Sequence, residues 1–176
     1  LLAPGGVAIV DPAMADNGKL YSGFDEDYVR AIGSLAGKAD IILPNVTEAA
    51  ILSGLPYQEN IDRNYVNQLL NGLNHPCAVL TGVDFDEYST GIVLQEGTVQ
   101  HEYRHKRIGT GCHGTGDIFA AVFTGALMQG KNRLDAAKIA ADFTCRCIEN
   151  TVNAPAHWYG VKFEPLLPEL MEMLGQ

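Results

Sequence analysis

The sequence predicts an α/β domain built on parallel strands joined by crossovers. Short β-branched runs at Val7–Val10, Ala39–Leu43 and Cys77–Leu80 alternate with segments of helical periodicity. Apart from Asp40, each run is apolar rather than alternating, as expected for a strand covered on both faces. Each also ends on polar or turn residues, Asp11-Pro12, Pro44-Asn45 and Thr81-Gly82. Polar groups therefore gather at the carboxyl ends of three strands, where open α/β sheets bind ligands.

The elements follow in order. After the first strand, Phe24 to Leu35 reads as a helix, and after the second strand Val66, Leu69, Leu70 and Leu73 recur at helical spacing. Beyond the third strand the pattern changes to Thr90–Leu94, Glu96-Gly97 and Val99–Tyr103, a hairpin between Tyr88 and Lys106 that turns at the Glu-Gly step. A glycine-rich stretch, Gly109 to Gly116, leads into Ile118–Met128, apolar almost all round and so expected to be a buried helix. A second helix follows with Ala136, Ala140, Phe143 and Cys147 on one face. Glu164 to Leu174 is the last, with Leu167, Leu170, Met171 and Leu174 as its apolar stripe. There is no repeat, low-complexity tract or linker, so 176 residues with 47% hydrophobic content are expected to form one domain.

Charge narrows the function classes. Twelve basic against 21 acidic residues leave a net charge of −9, which repels a nucleic-acid backbone or an anionic membrane surface. An anionic ligand has to be caught locally. No apolar run approaches bilayer length and no basic leader precedes one, so the expected location is the cytoplasm. The cysteines, Cys77, Cys112, Cys145 and Cys147, form neither a disulfide framework nor a CxxC pair. Cys145 and Cys147 point to different faces of a helix and read as core or near-core thiols.

Local capture has an obvious candidate. Gly109-Thr110-Gly111-Cys112-His113-Gly114 matches G-x-G-x-x-G, but a dinucleotide fingerprint requires the following helix to lead into another parallel strand, and here it leads into a second helix. No Lys-Ser or Lys-Thr closes the run as a P-loop does. The informative part is Gly114-Thr115-Gly116-Asp117 running straight into Ile118-Phe119-Ala120-Ala121. Small residues let the N–H groups at a helix start converge on one point, where they and the helix dipole stabilise negative charge. Asp117 at the rim of that anion hole is costly unless it accepts a proton or binds a cation; the plainer alternative is a helix cap. Asp11, with Asp16 beyond it, and Asn45 with Glu48 place hard oxygen ligands at two strand ends, as magnesium with a nucleotide triphosphate requires. A turn with Pro12 and a first-turn acid are the plainer readings of Asp11 and Glu48. Tyr103–Arg107 concentrates cations just before the loop, either as positive potential for a phosphate ligand or as a solvated strand edge.

Asp11-Pro12-Ala13-Met14, Pro44-Asn45 with Glu48-Ala49, and His113–Ala121, in this order and spacing, resemble the vitamin-kinase branch of the ribokinase-like superfamily. The resemblance covers essentially the whole chain and is nearest to pyridoxal and pyridoxamine kinases. Hydroxymethylpyrimidine kinases share the first two segments yet typically carry Cys where this chain has Asp117, and Ala13 stands where Val is commoner. The resemblance implies a three-layer α/β/α fold with a mostly parallel sheet, ATP and magnesium, often potassium or sodium, and commonly a homodimer. It implies Asp117 as the base for a vitamin hydroxymethyl group, with Gly114, Thr115 and Gly116 holding the phosphoryl group. Asp11 and Glu48 would organise magnesium, Asn45 and Thr81 would lie along the nucleotide phosphates, and Lys106 and Arg107 are expected to attract the nucleotide. Residues 1–176 are then expected to be the C-terminal portion of one kinase domain, the vitamin pocket lying in a preceding portion. Kinases for hydroxymethylpyrimidine or a sugar-like alcohol, and a silent nucleotide-binding module, stay open beside this reading. Cys112 is expected to be a passive loop residue, though a thiol there could add to an aldehyde vitamin; His113 orients the loop or is incidental, and His75, His157 and Trp158 are expected to be structural.

Overall fold

A computed structural model describes residues 5–109, 112–152, 154 and 160–176. The chain divides after Glu102 into two compact units. In the first, β1 (Ile9–Val10), β4 (Ile41–Ile42) and β5 (Cys77–Thr81) run parallel, with Ile9 beside Ile41 and Ile42 beside Ala78. The predicted hairpin is β6 (Ser89–Glu96) and β7 (Val99–Lys106), and the sheet order is β1-β4-β5-β6-β7. β6 lies antiparallel against β5, so the sheet is mixed: the hairpin adds to the parallel strands instead of standing apart. Its turn is one residue later than the Glu-Gly step, at Gly97-Thr98, where Gly97 takes φ +57°.

A second, smaller hairpin, β2 (Ala15–Asp16) with β3 (Lys19–Leu20), follows the Asp-Pro turn. Its signal is Asn17-Gly18, the dipeptide that favours a two-residue turn, and both take positive φ here.

Three helices belong to this unit: α1 (Glu26–Ala36), α2 (Val46–Ser53) and α3 (Arg63–Leu73). Asp25 and Asp62 cap α1 and α3 by accepting the N–H of Tyr28 at 2.9 Å and of Tyr65 at 2.7 Å. α2 stops at Gly54, whose φ of +70° no β-branched residue would adopt without strain. Val46, Ala49 and Ala50 of α2, Val66, Leu69 and Leu70 of α3 and Ala78 and Leu80 of β5 share one buried cluster. Each large aliphatic side chain in it contributes about 1.5–3 kcal/mol by leaving water. His75 is structural: its ring nitrogens lie 2.8 Å from the Cys77 carbonyl and 3.1 Å from that of Ala39.

The second unit pairs α4 (Thr115–Met128) with α5 (Arg133–Val152), followed by a short 3-10 turn (Glu164–Leu166) and α6 (Leu167–Leu174). Ala136, Ala140, Phe143 and Cys147 form the buried face of α5 as the periodicity predicts. α4 departs from expectation. Phe119, Val122, Phe123 and Ala126 are buried, whereas Gly116, Ala121, Gly125 and Met128 are exposed. The exposed face is mostly glycine and alanine, which lose little by meeting water, so mean hydropathy overstates the burial. The α6 stripe is likewise split, with Leu167 and Met171 exposed. Among the described residues no helix is long and apolar enough to cross a membrane. His157 and Trp158 lie outside the described residues.

Candidate active site

In the first unit the predicted residues come together at the strand ends. Asn45 follows β4 and forms a parallel bridge with Thr81 at the end of β5; the Thr81 N–H donates to the Pro44 carbonyl at 2.9 Å. Asn45 is also the N-cap of α2. Its Oδ1 accepts the Glu48 N–H at 2.9 Å, while Glu48 Oε2 accepts the Asn45 N–H at 2.9 Å, a reciprocal capping box. The spacing Asn45-x-x-Glu48 encodes this locally.

Glu48 does more than close the cap. Its Oε1 accepts the Met14 N–H at 2.8 Å and the Ala15 N–H at 3.4 Å, bonds that reach 34 and 33 residues back to the Asp-Pro turn. The side chain is fully buried. Burial, and then the negative charge of Asp11, push its carboxyl up to about 7 against the pull of the backbone N–H bonds. Asn45 Nδ2 donates to the Ala15 carbonyl at 2.7 Å, and Thr47 Oγ1 accepts the Gly18 N–H at 3.0 Å. Sequence reasoning missed Thr47, because nothing within a few residues of it shows that its hydroxyl meets a backbone 29 positions away.

Asp11 and Glu48 suit a divalent cation by chemistry: the negative charge of Asp11 raises the proton affinity of Glu48, a repulsion that a nearby positive charge would relieve. Among the described residues no third His, Cys, Asp or Glu joins them as a cage. That fits magnesium, which keeps several waters and takes its other ligands from phosphates.

In the second unit Gly114 is the N-cap of α4, at φ +84° and with no side-chain capping bond. Asp117 is therefore not the N-cap residue itself, since that position is taken by a glycine three residues earlier; as a first-turn acid it is still favoured by the helix dipole. Asp117 stands in the first turn with its residue exposed. The first intrahelical bond is Ile118 N–H to Gly114 O at 3.1 Å, so the N–H groups of Thr115, Gly116 and Asp117 precede the ladder and carry the helix's partial positive charge. Residues 110 and 111 of the glycine-rich run lie outside the described residues; Cys112 is half-buried and His113 exposed.

Lys106 and Arg107 line a cavity of about 510 Å³ with Arg146, Glu149 and Asn150. Arg146 is paired with Glu149 at 2.9 Å and Glu169 at 3.2 Å. Beside it His105 Nδ1 lies 2.8 Å from Cys145 Sγ, a contact 40 residues apart that no local pattern announces. Burial and the charges of Asp142 and Glu149 push the Cys145 thiol up to about 12, which favours its neutral form.

Each unit thus holds groups of a kind phosphoryl transfer uses: oxygen donors at neighbouring strand ends in the first, and a glycine-capped helix start with an acid in its first turn in the second. The chain belongs to the phosphomethylpyrimidine kinase family, which it matches over residues 4–161. It is 29% identical to a hydroxymethylpyrimidine/phosphomethylpyrimidine kinase of Bacillus subtilis over 82% of this chain and 54% of that protein. The corresponding enzyme of Haemophilus influenzae is 28% identical, over 85% of this chain and 58% of the relative. The chain thus spans somewhat more than half the length of these curated relatives. Among solved structures, pyridoxal kinase from Lactobacillus plantarum is 32% identical with a TM-score of 0.81, covering 94% of this chain and 61% of that one. A candidate phosphomethylpyrimidine kinase of Bacteroides thetaiotaomicron is 28% identical with a TM-score of 0.86, covering 97% and 60%. The ribokinase-like α/β fold read from the three motifs is the fold of these relatives.

Proposed function

We propose that this chain is the C-terminal portion of a kinase domain that transfers phosphate from ATP to the hydroxymethyl group of a B6 vitamer, pyridoxal, pyridoxamine or pyridoxine. The observation that carries the reading is Asp117 exposed at the third position of α4 behind a glycine cap. Asp117 takes the proton from the hydroxymethyl oxygen as that oxygen attacks phosphorus. Proton removal comes late in such a transfer, so what the carboxylate must supply is a position within hydrogen-bonding reach of the attacking oxygen. The N–H groups from Gly114 to Gly116 receive the charge on the transferring phosphoryl oxygens. Asn45 and Thr81 lie along the nucleotide phosphates, and Lys106 and Arg107 provide the positive potential an acidic chain needs. Asp11 and Glu48 belong to the magnesium end of the site; the ion, when bound, neutralises phosphate charge. A potassium or sodium ion, a homodimer and a cytoplasmic location complete the reading through the family resemblance.

The B6 vitamers are favoured over hydroxymethylpyrimidine by Asp117 itself, which stands where pyrimidine kinases typically carry Cys. The pyrimidine substrate is the second reading, favoured by the names of both curated relatives. The test offers the native-length protein magnesium-ATP with pyridoxal, pyridoxamine, hydroxymethylpyrimidine or ribose, with Asp117→Asn as control. Product from a B6 vitamer that vanishes in the control supports the first reading, and product from the pyrimidine alone the second. ATP bound with no product from any alcohol overturns both in favour of a silent nucleotide-binding module.

A further inference from the structure

We infer that Thr151, at the carboxyl end of α5, is a positioning residue for the phosphoryl-holding start of α4, acting through the backbone of Lys162 and the side chain of Val161. The functional half of this inference rests on the kinase reading above. The structural half stands on contacts within the second unit alone.

The start of α4 needs a support that its own residues do not give. Gly114 stands at φ +84° and offers no side chain to cap the helix, and glycine restrains its own backbone less than any other residue. What lies against it comes from far along the chain. A Cβ on Gly114 would meet Val161 Cγ2 at 4.0 Å, an ordinary van der Waals contact, and a Cβ on Gly160 would meet the His113 carbonyl oxygen at 3.5 Å. Val161 is itself buried. Residues 160 and 161 thus back residues 113 and 114, where the chain turns into α4.

The backing is fixed in turn by α5. The Lys162 N–H donates to Thr151 Oγ1 at 2.8 Å, and the Lys162 carbonyl accepts Asn150 Nδ2 at 2.9 Å. Two consecutive helix residues therefore hold both backbone groups of the residue next to Val161. A threonine in a helix commonly turns its hydroxyl back to the carbonyl four residues earlier, and Thr151 does so, donating to Cys147 O at 2.6 Å. The added bond from Lys162 makes that hydroxyl a bridge between α5 and the segment behind Gly114. Thr151 is buried, with its one proton spent on Cys147. Asn150, by contrast, lines the cavity beside Lys106, so the test falls on Thr151. The N–H groups after Gly114 point where that residue's backbone directs them, and a displacement of about 1 Å in a group that stabilises a transition state can cost as much as 10²-fold in rate.

The test compares Thr151→Val, Thr151→Ser and Val161→Ala with the unaltered native-length protein. Amide hydrogen exchange is read without ligand at Lys162 and at Ile118, whose bond to Gly114 O is the first of α4. The kcat and the KM for magnesium-ATP are read per folded molecule. Thr151→Val keeps the shape and deletes the acceptor of the Lys162 N–H. It is expected to speed exchange about tenfold at Lys162 and measurably at Ile118, and to lower kcat about tenfold with the KM little changed, because the N–H groups act on charge that develops during transfer. Thr151→Ser restores the hydroxyl and is expected to recover all of these. Val161→Ala leaves the grip on Lys162 intact, so exchange there stays as in the unaltered protein while exchange at Ile118 rises and kcat falls by a smaller factor.

A fall in kcat with exchange at Ile118 unchanged overturns the inference and makes Thr151 a group that meets the ligands directly. Faster exchange at Lys162 with Ile118 and kcat unchanged overturns it as well, leaving the bridge a matter of stability alone. Unchanged exchange at Lys162 in Thr151→Val overturns the grip, and failure of Thr151→Ser to recover the losses assigns them to the methyl group and overturns the bridge. Absence of phosphoryl transfer in every form, the unaltered protein included, overturns the kinase reading and with it the functional half, while exchange at Ile118 still decides the structural half. Should Thr151→Val fail to fold, Val161→Ala decides, and no change there in Ile118 exchange or in kcat overturns the inference.

Discussion

The helices α2 and α4 begin at an asparagine and a glycine cap respectively, and both carry an acid at the third position. In α2 that acid is Glu48, fully buried, with both oxygens bonded to backbone N–H groups. In α4 it is Asp117, exposed, behind a glycine that contributes no side-chain cap. At the first helix end the acid is held by backbone amides, and at the second it faces outward. The difference teaches that the surroundings the fold supplies, and not the position in the helix, set how a first-turn acid is held.

Substitutions can break or sharpen this contrast. Asp117→Asn is expected to have the largest effect, a loss of about 10²–10⁴-fold in phosphoryl transfer as expected of a general base, with the melting curve almost unmoved because the residue is exposed. A stability loss as large as that of a core mutant would show that Asp117 is held like Glu48.

Glu48→Ala should behave in the opposite sense, lowering stability by about 3 kcal/mol in denaturant titrations, since buried backbone donors lose their acceptor. The pH dependence sharpens the point. The folded-state carboxyl of Glu48 lies at about 7 against an ordinary value of 4.5, so the folded protein binds the proton more tightly than the unfolded chain. The stabilisation from that proton is complete below pH 4.5 and is lost as the pH rises through 7. Replacing Glu48 by Gln should flatten the corresponding slope, removing about 3 kcal/mol of pH-dependent stability across that window.

Gly114→Ala is expected to cost about 1–2 kcal/mol, because φ +84° is a left-handed conformation that a Cβ opposes. Its accompanying loss of transfer should exceed what the stability change explains, since the N–H groups at the start of α4 would move. The smallest effect is expected from Asn45→Ala, about 1 kcal/mol for the lost cap, read as a shift in denaturation midpoint.

Much of the fold and part of the site are legible in the residues alone. The apolar runs announce the three parallel strands, and Glu48 as a first-turn acid and Gly114–Asp117 mark two helix starts. These are effects of neighbours within one or two turns, and local spacing encodes them. What lies beyond its reach is the long-range part: the pairing of β6 with β5, the exposed face of α4, the Thr47 to Gly18 bond and the His105 to Cys145 contact. By itself the sequence determined which groups were available, two acids at two helix starts and a polar turn after each parallel strand. Only the tertiary structure decided that Glu48 would be buried and bonded to residues more than 30 positions away, while Asp117 stayed exposed. Desolvation and hydrogen-bond supply depend on what packs against a side chain, and no spacing along the chain carries that information.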